Sequence, residues 1–155
     1  MTAGMLVAAV SVAGAAGAAT RLNRLHVRTD AAWAALDAAL CHRAHTVSEL
    51  DMGTAMRGAA DAVPRAEDNA AREEVENELG RALALLDRAE LEPGCARRLA
   101  DAEQRVVIAR RVYNDAVRDT LALRSHRRVR WLRLAGRASL PRYFEIAEPN
   151  LAVSG

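Results

Sequence analysis

Lysine is absent from this chain of 155 residues, and all 22 of its basic side chains are arginine. Aromatic side chains are nearly absent as well, at 3% of the sequence: Trp33, Tyr113, Trp131, Tyr143 and Phe144. Any core must therefore be assembled from Ala, Leu and Val. Ala and Leu are strong helix formers, and β-branched residues are few, so the composition excludes a β-rich fold and predicts an all-α one. An Ala position buries little area at roughly 25 cal/mol per Å². Stability must then come from long helices in close approach, not from a thick core. Cys41 and Cys95 form no CxxC pair and no framework, which excludes a disulfide scaffold and fits a reducing compartment. A single bridge between the two remains open.

Catalytic signatures are missing too. There is no Gly-rich phosphate loop, no His-Glu-x-x-His, and no Ser or Cys in a recognisable nucleophile context. The repeated Glu-x-x-His of di-iron bundles does not occur. We expect no enzyme, no cofactor and no metal site. Cys41, His42 and His45 are the one group worth weighing, because His42 and His45 lie three apart and would share a helix face. Without a second cluster, the trio reads as a polar helix face.

Charge is distributed unevenly. Residues 1–20 carry no charged side chain, and Arg21, Arg24 and Arg28 follow at once. Twenty residues at about 1.5 Å each just span a hydrocarbon core of about 30 Å. We read 1–20 as an uncleaved transmembrane anchor, with the amino terminus outside and the remainder cytoplasmic by the positive-inside rule. Two rival readings are a cleaved secretory signal ending near Ala16-Gly17-Ala18 and a merely buried helix; a signal would start with positive charge, which is lacking here. Small residues four apart, Ala13 with Gly17 and Gly14 with Ala18, would allow two anchors to pair, so a homo-oligomer is compatible. Further on, residues 66–92 hold nine acids against three arginines, whereas residues 105–142 hold eleven arginines against two acids. The first reading of this asymmetry is an acidic helix beside a basic one. The second is a basic face aimed at a phosphate-rich partner.

Periodicity supplies the elements. From Arg21 the three-four spacing of Leu22, Leu25, Thr29, Ala32, Leu36 and Ala39 predicts a helix reaching about residue 62, with a bend possible at Gly53, because Pro64 disfavours helix at Val63. A second helix is expected over about 66–91, with Val75, Leu79, Ala82, Leu86 and Ala89 as its stripe and Pro93-Gly94 as its stop. A third is expected over about 96–125, on the seam Leu99, Ala102, Val106, Ala109, Tyr113, Ala116, Thr120 and Leu123. Residues 124–137 would form a short basic segment, and residues 149–155 a tail.

The run Arg105-Val-Val-Ile-Ala-Arg-Arg-Val-Tyr-Asn-Asp-Ala-Val-Arg-Asp119 resembles the late-helix signature of the LemA family of bacterial membrane proteins, through Arg110, Arg111, Tyr113, Asn114 and Asp115. Tyr143, Phe144 and Glu145 are similar to that family's terminal Phe-Glu element. Trp33, within Ala31-Ala32-Trp33-Ala34, resembles its first-helix Ala-Trp motif. The resemblance covers about residues 21–148. It implies an amino-terminal transmembrane helix followed by a cytoplasmic antiparallel bundle of three to four long helices, and it transfers architecture better than activity. The family's Phe-Pro turn is missing; His126-Arg127 and an Arg-rich segment stand in its place.

That segment, with Arg124, Arg127, Arg128, Arg130, Trp131, Arg133 and Arg137, is the candidate contact surface. As an amphipathic basic helix it would lie on an anionic leaflet, protein or nucleic-acid partners compete for the same residues, and the plain alternative is a solvated end neutralised by the acidic second helix. The reading that results is a single-pass cell-membrane protein serving as a non-enzymatic scaffold or adaptor for an unidentified protein partner. Its competitors are an exported or peripheral bundle that binds anionic membrane or nucleic acid through 124–137, and a metal-binding bundle.

Overall fold

A computed structural model of the chain describes residues 2–50, 53–66, 68–125 and 140–146, with side chains at Gly17 and from Thr20 onward. The architecture is all-α. Helix α1 is Thr2–Glu49, α2 is Thr54–Ala62, α3 is Asn69–Ala84 and α4 is Pro93–Ser125, with short 3-10 turns at Val63–Arg65 and Arg88–Glu90. No strand occurs among the described residues. The chain forms two compact units, Met1–Trp33 with Val112–Tyr143, and Ala34–Arg111 with Phe144–Gly155. Among the described residues no helix is long and apolar enough to cross a membrane. Most side chains of the expected anchor, residues 1–20, lie outside the described residues, as do the basic segment beyond Ser125 and the tail 149–155.

The helix expected over 21–62 is in fact two helices. α1 ends at Glu49, and Gly53 then adopts φ 95° and ψ 162° at the start of α2. That backbone region is essentially open to glycine alone, so the sequence reverses where a residue without Cβ permits it. By Val63 the chain has returned to the level of Cys41: the Arg72 guanidinium donates to the Val63 carbonyl, sits 4.0 Å from Cys41 Sγ and pairs with Asp37. In the second unit α3 consequently runs parallel to α1, with Arg72 at the level of Asp37 and Glu76 at that of Arg43. α4 runs antiparallel to α1, since Arg98 meets Glu49 at its start.

Caps explain the remaining boundaries. Asp68 accepts from the Ala71 amide at 2.8 Å and opens α3. The second helix was expected to reach Leu91, but α3 stops at Ala84. Asp87 instead accepts from the Ala89 amide at 3.0 Å, a local bond that competes with helix. Pro93-Gly94 is not a stop. Pro93 is the first residue of α4, where its missing N–H is harmless, and Glu92 accepts from the Cys95 amide at 3.1 Å. The Gly94 and Cys95 amides hold the Glu92 carboxyl below the usual carboxylate range. A Cβ on Gly94 would lie 2.7 Å from Glu92 Oε2 and displace that cap.

The buried stripes agree with the expected seams in part. On α4, Leu99, Ala102, Val106, Tyr113, Ala116 and Thr120 are buried, joined by Glu103, Val107 and Val117. On α3 the buried residues are Arg72, Glu76, Leu79 and Leu83, a stripe that shares only Leu79 with the expected one. Two glycines make a direct test of the reversal. Gly53→Ala forces a strained backbone and is expected to lower unfolding free energy by about 1–3 kcal/mol. Gly58, inside α2 with nothing near its missing Cβ, should gain roughly 0.5–1 kcal/mol as Ala. Equal denaturation midpoints for the two variants would remove the conformational role of Gly53.

Candidate functional site

In the first unit α1 and α4 are antiparallel, and their register is set by hydroxyls. Thr29 Oγ1 lies 3.0 Å from Thr120 Oγ1 and donates to the Leu25 carbonyl at 2.9 Å; both threonines are buried. One residue away on each helix, Arg28 and Asp119 pair at 3.0 Å on the surface. The aromatic residues come next along this pair of helices. Trp33 and Tyr113 meet edge to face, with ring centroids 5.3 Å apart at 60°, an arrangement that adds about 0.5–1.5 kcal/mol beyond area burial. The Tyr113 hydroxyl donates to the Arg142 carbonyl at 2.9 Å, so the buried ring also holds the segment that leads into Tyr143.

The other residues of the family resemblance occupy different settings, each within its own unit. Asn114 and Arg110 are half-buried and Arg111 is exposed. Asp115 pairs with Arg118 at 3.0 Å across one turn, a surface contact worth little. Tyr143 is exposed, and Phe144 is wholly buried. In the second unit the Glu145 amide donates to Glu73 Oε1 at 2.9 Å, which ties the closing segment to α3. Arg124 is half-buried near the end of α4. Arg127, Arg128, Arg130, Trp131, Arg133 and Arg137 lie outside the described residues.

The second unit carries a feature that the apolar pattern did not announce, a set of ion pairs inside the helix interfaces. Arg43 and Glu76 are paired with almost no exposure on either side chain. Burial pushes the Glu76 carboxyl above its ordinary range, against the pull of the Arg43 guanidinium. Glu76 Oε1 and Arg43 Nε have no hydrogen-bond partner among the described residues. Arg88 forks onto buried Glu103 through two bonds of 2.7 and 2.8 Å, and that bond raises the Arg88 pKa further. The signal was present in spacing: Arg72, Glu76, Leu79 and Leu83 follow the three-four rule, as do Leu36, Leu40, Arg43 and Val47. A stripe chosen by hydrophobicity passes over such positions.

The possible metal trio separates. Cys41 sits by Arg72, whereas His42 and His45 line a half-open groove of about 220 Å³ with Thr46, Glu49, Arg98, Asp101 and Arg105. Within it His45 lies 3.2 Å from Glu49, which also pairs with Arg98. Among the described residues no three His, Cys, Asp or Glu side chains gather as a cation would require. No protein-family model, curated protein or solved structure matches the chain.

Two sets of variants probe these assignments. Tyr113→Phe keeps the ring contact and deletes the bond to Arg142, for an expected loss of about 1 kcal/mol; an unchanged denaturation midpoint would deny that bond any weight. Glu76→Gln leaves a charged guanidinium buried without its counter-ion and should cost about 3–5 kcal/mol, whereas the pair Arg43→Met with Glu76→Leu should be neutral or stabilising by about 1–4 kcal/mol. A double variant no more stable than Glu76→Gln would contradict this account.

Proposed function

We propose that the chain is a membrane-anchored helical-bundle protein of LemA type, held by residues 1–20 with its amino terminus outside, and that the cytoplasmic remainder acts as a non-enzymatic scaffold or adaptor. The reading rests on the residues that carry the resemblance and on the uncharged stretch 1–20 followed by Arg21, Arg24 and Arg28. One observation carries it. Tyr113, from the most specific block of the resemblance, directs its chemistry inward, the ring onto Trp33 and the hydroxyl onto the Arg142 carbonyl. A signature used this way preserves an architecture, and an architecture held this firmly suits a protein whose task is to present surfaces to another protein.

The experiment is fractionation of cells that make the full chain. The protein should remain in membranes washed with alkaline carbonate, keep Met1 as its first residue, and resist protease added outside intact spheroplasts beyond residue 20. Release by carbonate would overturn the anchor. A mature protein starting near Ala19 would replace the reading with export, and external digestion of the bundle would reverse the orientation.

A further inference from the structure

The first unit places arginines where its uncharged stretch ends. Because α1 and α4 are antiparallel there, each step forward on α4 is a step back on α1. The contacts Thr29–Thr120 and Trp33–Tyr113 fix that count. Four residues beyond Thr120, Arg124 comes level with Arg24 to within a residue or so, and α4 ends at Ser125. Along the helix axis its last residue is thus within about one helical turn, about 5 Å, of the level of Arg21. Arg21 and Arg24 are exposed, and Arg124 is half-buried. Directly before them, residues 1–20 carry no charge. Three guanidinium groups from two helices therefore share one level at the border between charged and uncharged sequence.

We propose that this arginine collar is a docking surface for anionic phospholipid headgroups. Charge complementarity selects the occupant, and so does position. A phosphate-rich polymer has no use for the uncharged stretch next to the collar, whereas a bilayer offers apolar interior and phosphate at adjoining depths. Arginine suits the task, since its planar fork binds phosphate oxygens in pairs and does not lose its charge. The groups at this level are held by the Thr29–Thr120 and Arg28–Asp119 register, so the surface is formed before any lipid is met. The inference deepens the membrane reading above, and the test separates the two.

The full chain is floated with phosphatidylcholine vesicles and with vesicles that also contain phosphatidylserine. Each arginine that reaches the headgroups is worth roughly a fivefold gain in affinity. Phosphatidylserine should therefore tighten binding strongly; the Arg21→Gln, Arg24→Gln variant should lose roughly 25-fold of that gain. Raised salt should weaken the anionic component and leave any binding to neutral vesicles in place. Both substituted side chains are exposed, and an unchanged helical circular dichroism spectrum verifies the fold. Equal affinity for the two vesicle types, or a variant that keeps the full phosphatidylserine gain, overturns the collar while leaving the anchor standing. Salt-sensitive binding to anionic vesicles with none to neutral ones supports the collar and removes the anchor.

Discussion

Two alanine-rich helices packed face to face meet few obstacles to sliding, because small side chains make a smooth surface and bury little area at each position. With aromatics at 3% of the sequence, this chain has few bulky knobs to fix one helix against another beyond Trp33 on Tyr113. Polar pins serve instead. Thr29 with Thr120 fixes α1 on α4 in the first unit. In the second, Arg43 with Glu76 and Arg72 with Asp37 fix α1 on α3, and Arg88 with Glu103 fixes a turn on α4. Buried polar groups set register at some expense of stability in other helical assemblies. Here a displacement by one turn would strand charges inside the interface, so the pairs penalise every register but one.

The same constraint decides what could be read from sequence. The α4 seam was legible because its buried positions are mostly apolar, from Leu99 through Thr120. The α3 stripe was not, since Arg72 and Glu76 occupy two of its four buried places. A charge at a seam position looks like a break in the seam until its partner is known. Pro93-Gly94 was misread for another reason. Proline ends one helix and begins the next with equal ease, and only the Glu92 cap tells the two apart. Gly53 was visible as a weak point, but its φ of 95° turns a possible bend into a full reversal. Of the candidate contact residues, Arg124 alone falls within the described chain. The convergence of Trp33, Tyr113 and Arg142 had no signal in periodicity, because the three are far apart in sequence.

The architecture and the proposed role bear on each other through direction. An odd number of long passes would carry the end of α4 away from the start of the chain. The reversal after Glu49 adds a pass, and α4 returns beside the first part of α1. The charge asymmetry of the sequence thereby acquires a location. Arg124, a hundred positions beyond Arg24, is brought back to about its level, although the overall balance of charge is only +2.

The Thr29–Thr120 contact also has a kinetic meaning. Its two residues are 91 positions apart, and the intervening chain contains nearly the whole of the second unit. Closing so long a loop from an unfolded chain is entropically unfavourable and slow. Once the second unit has formed, most of that entropy is already lost, and the remaining closure is short. Loop entropy thus favours an order in which the residues between the two threonines fold first and the helix pair at the chain's beginning zips last. By the same entropy argument, opening is favoured first in the helix pair next to the uncharged stretch.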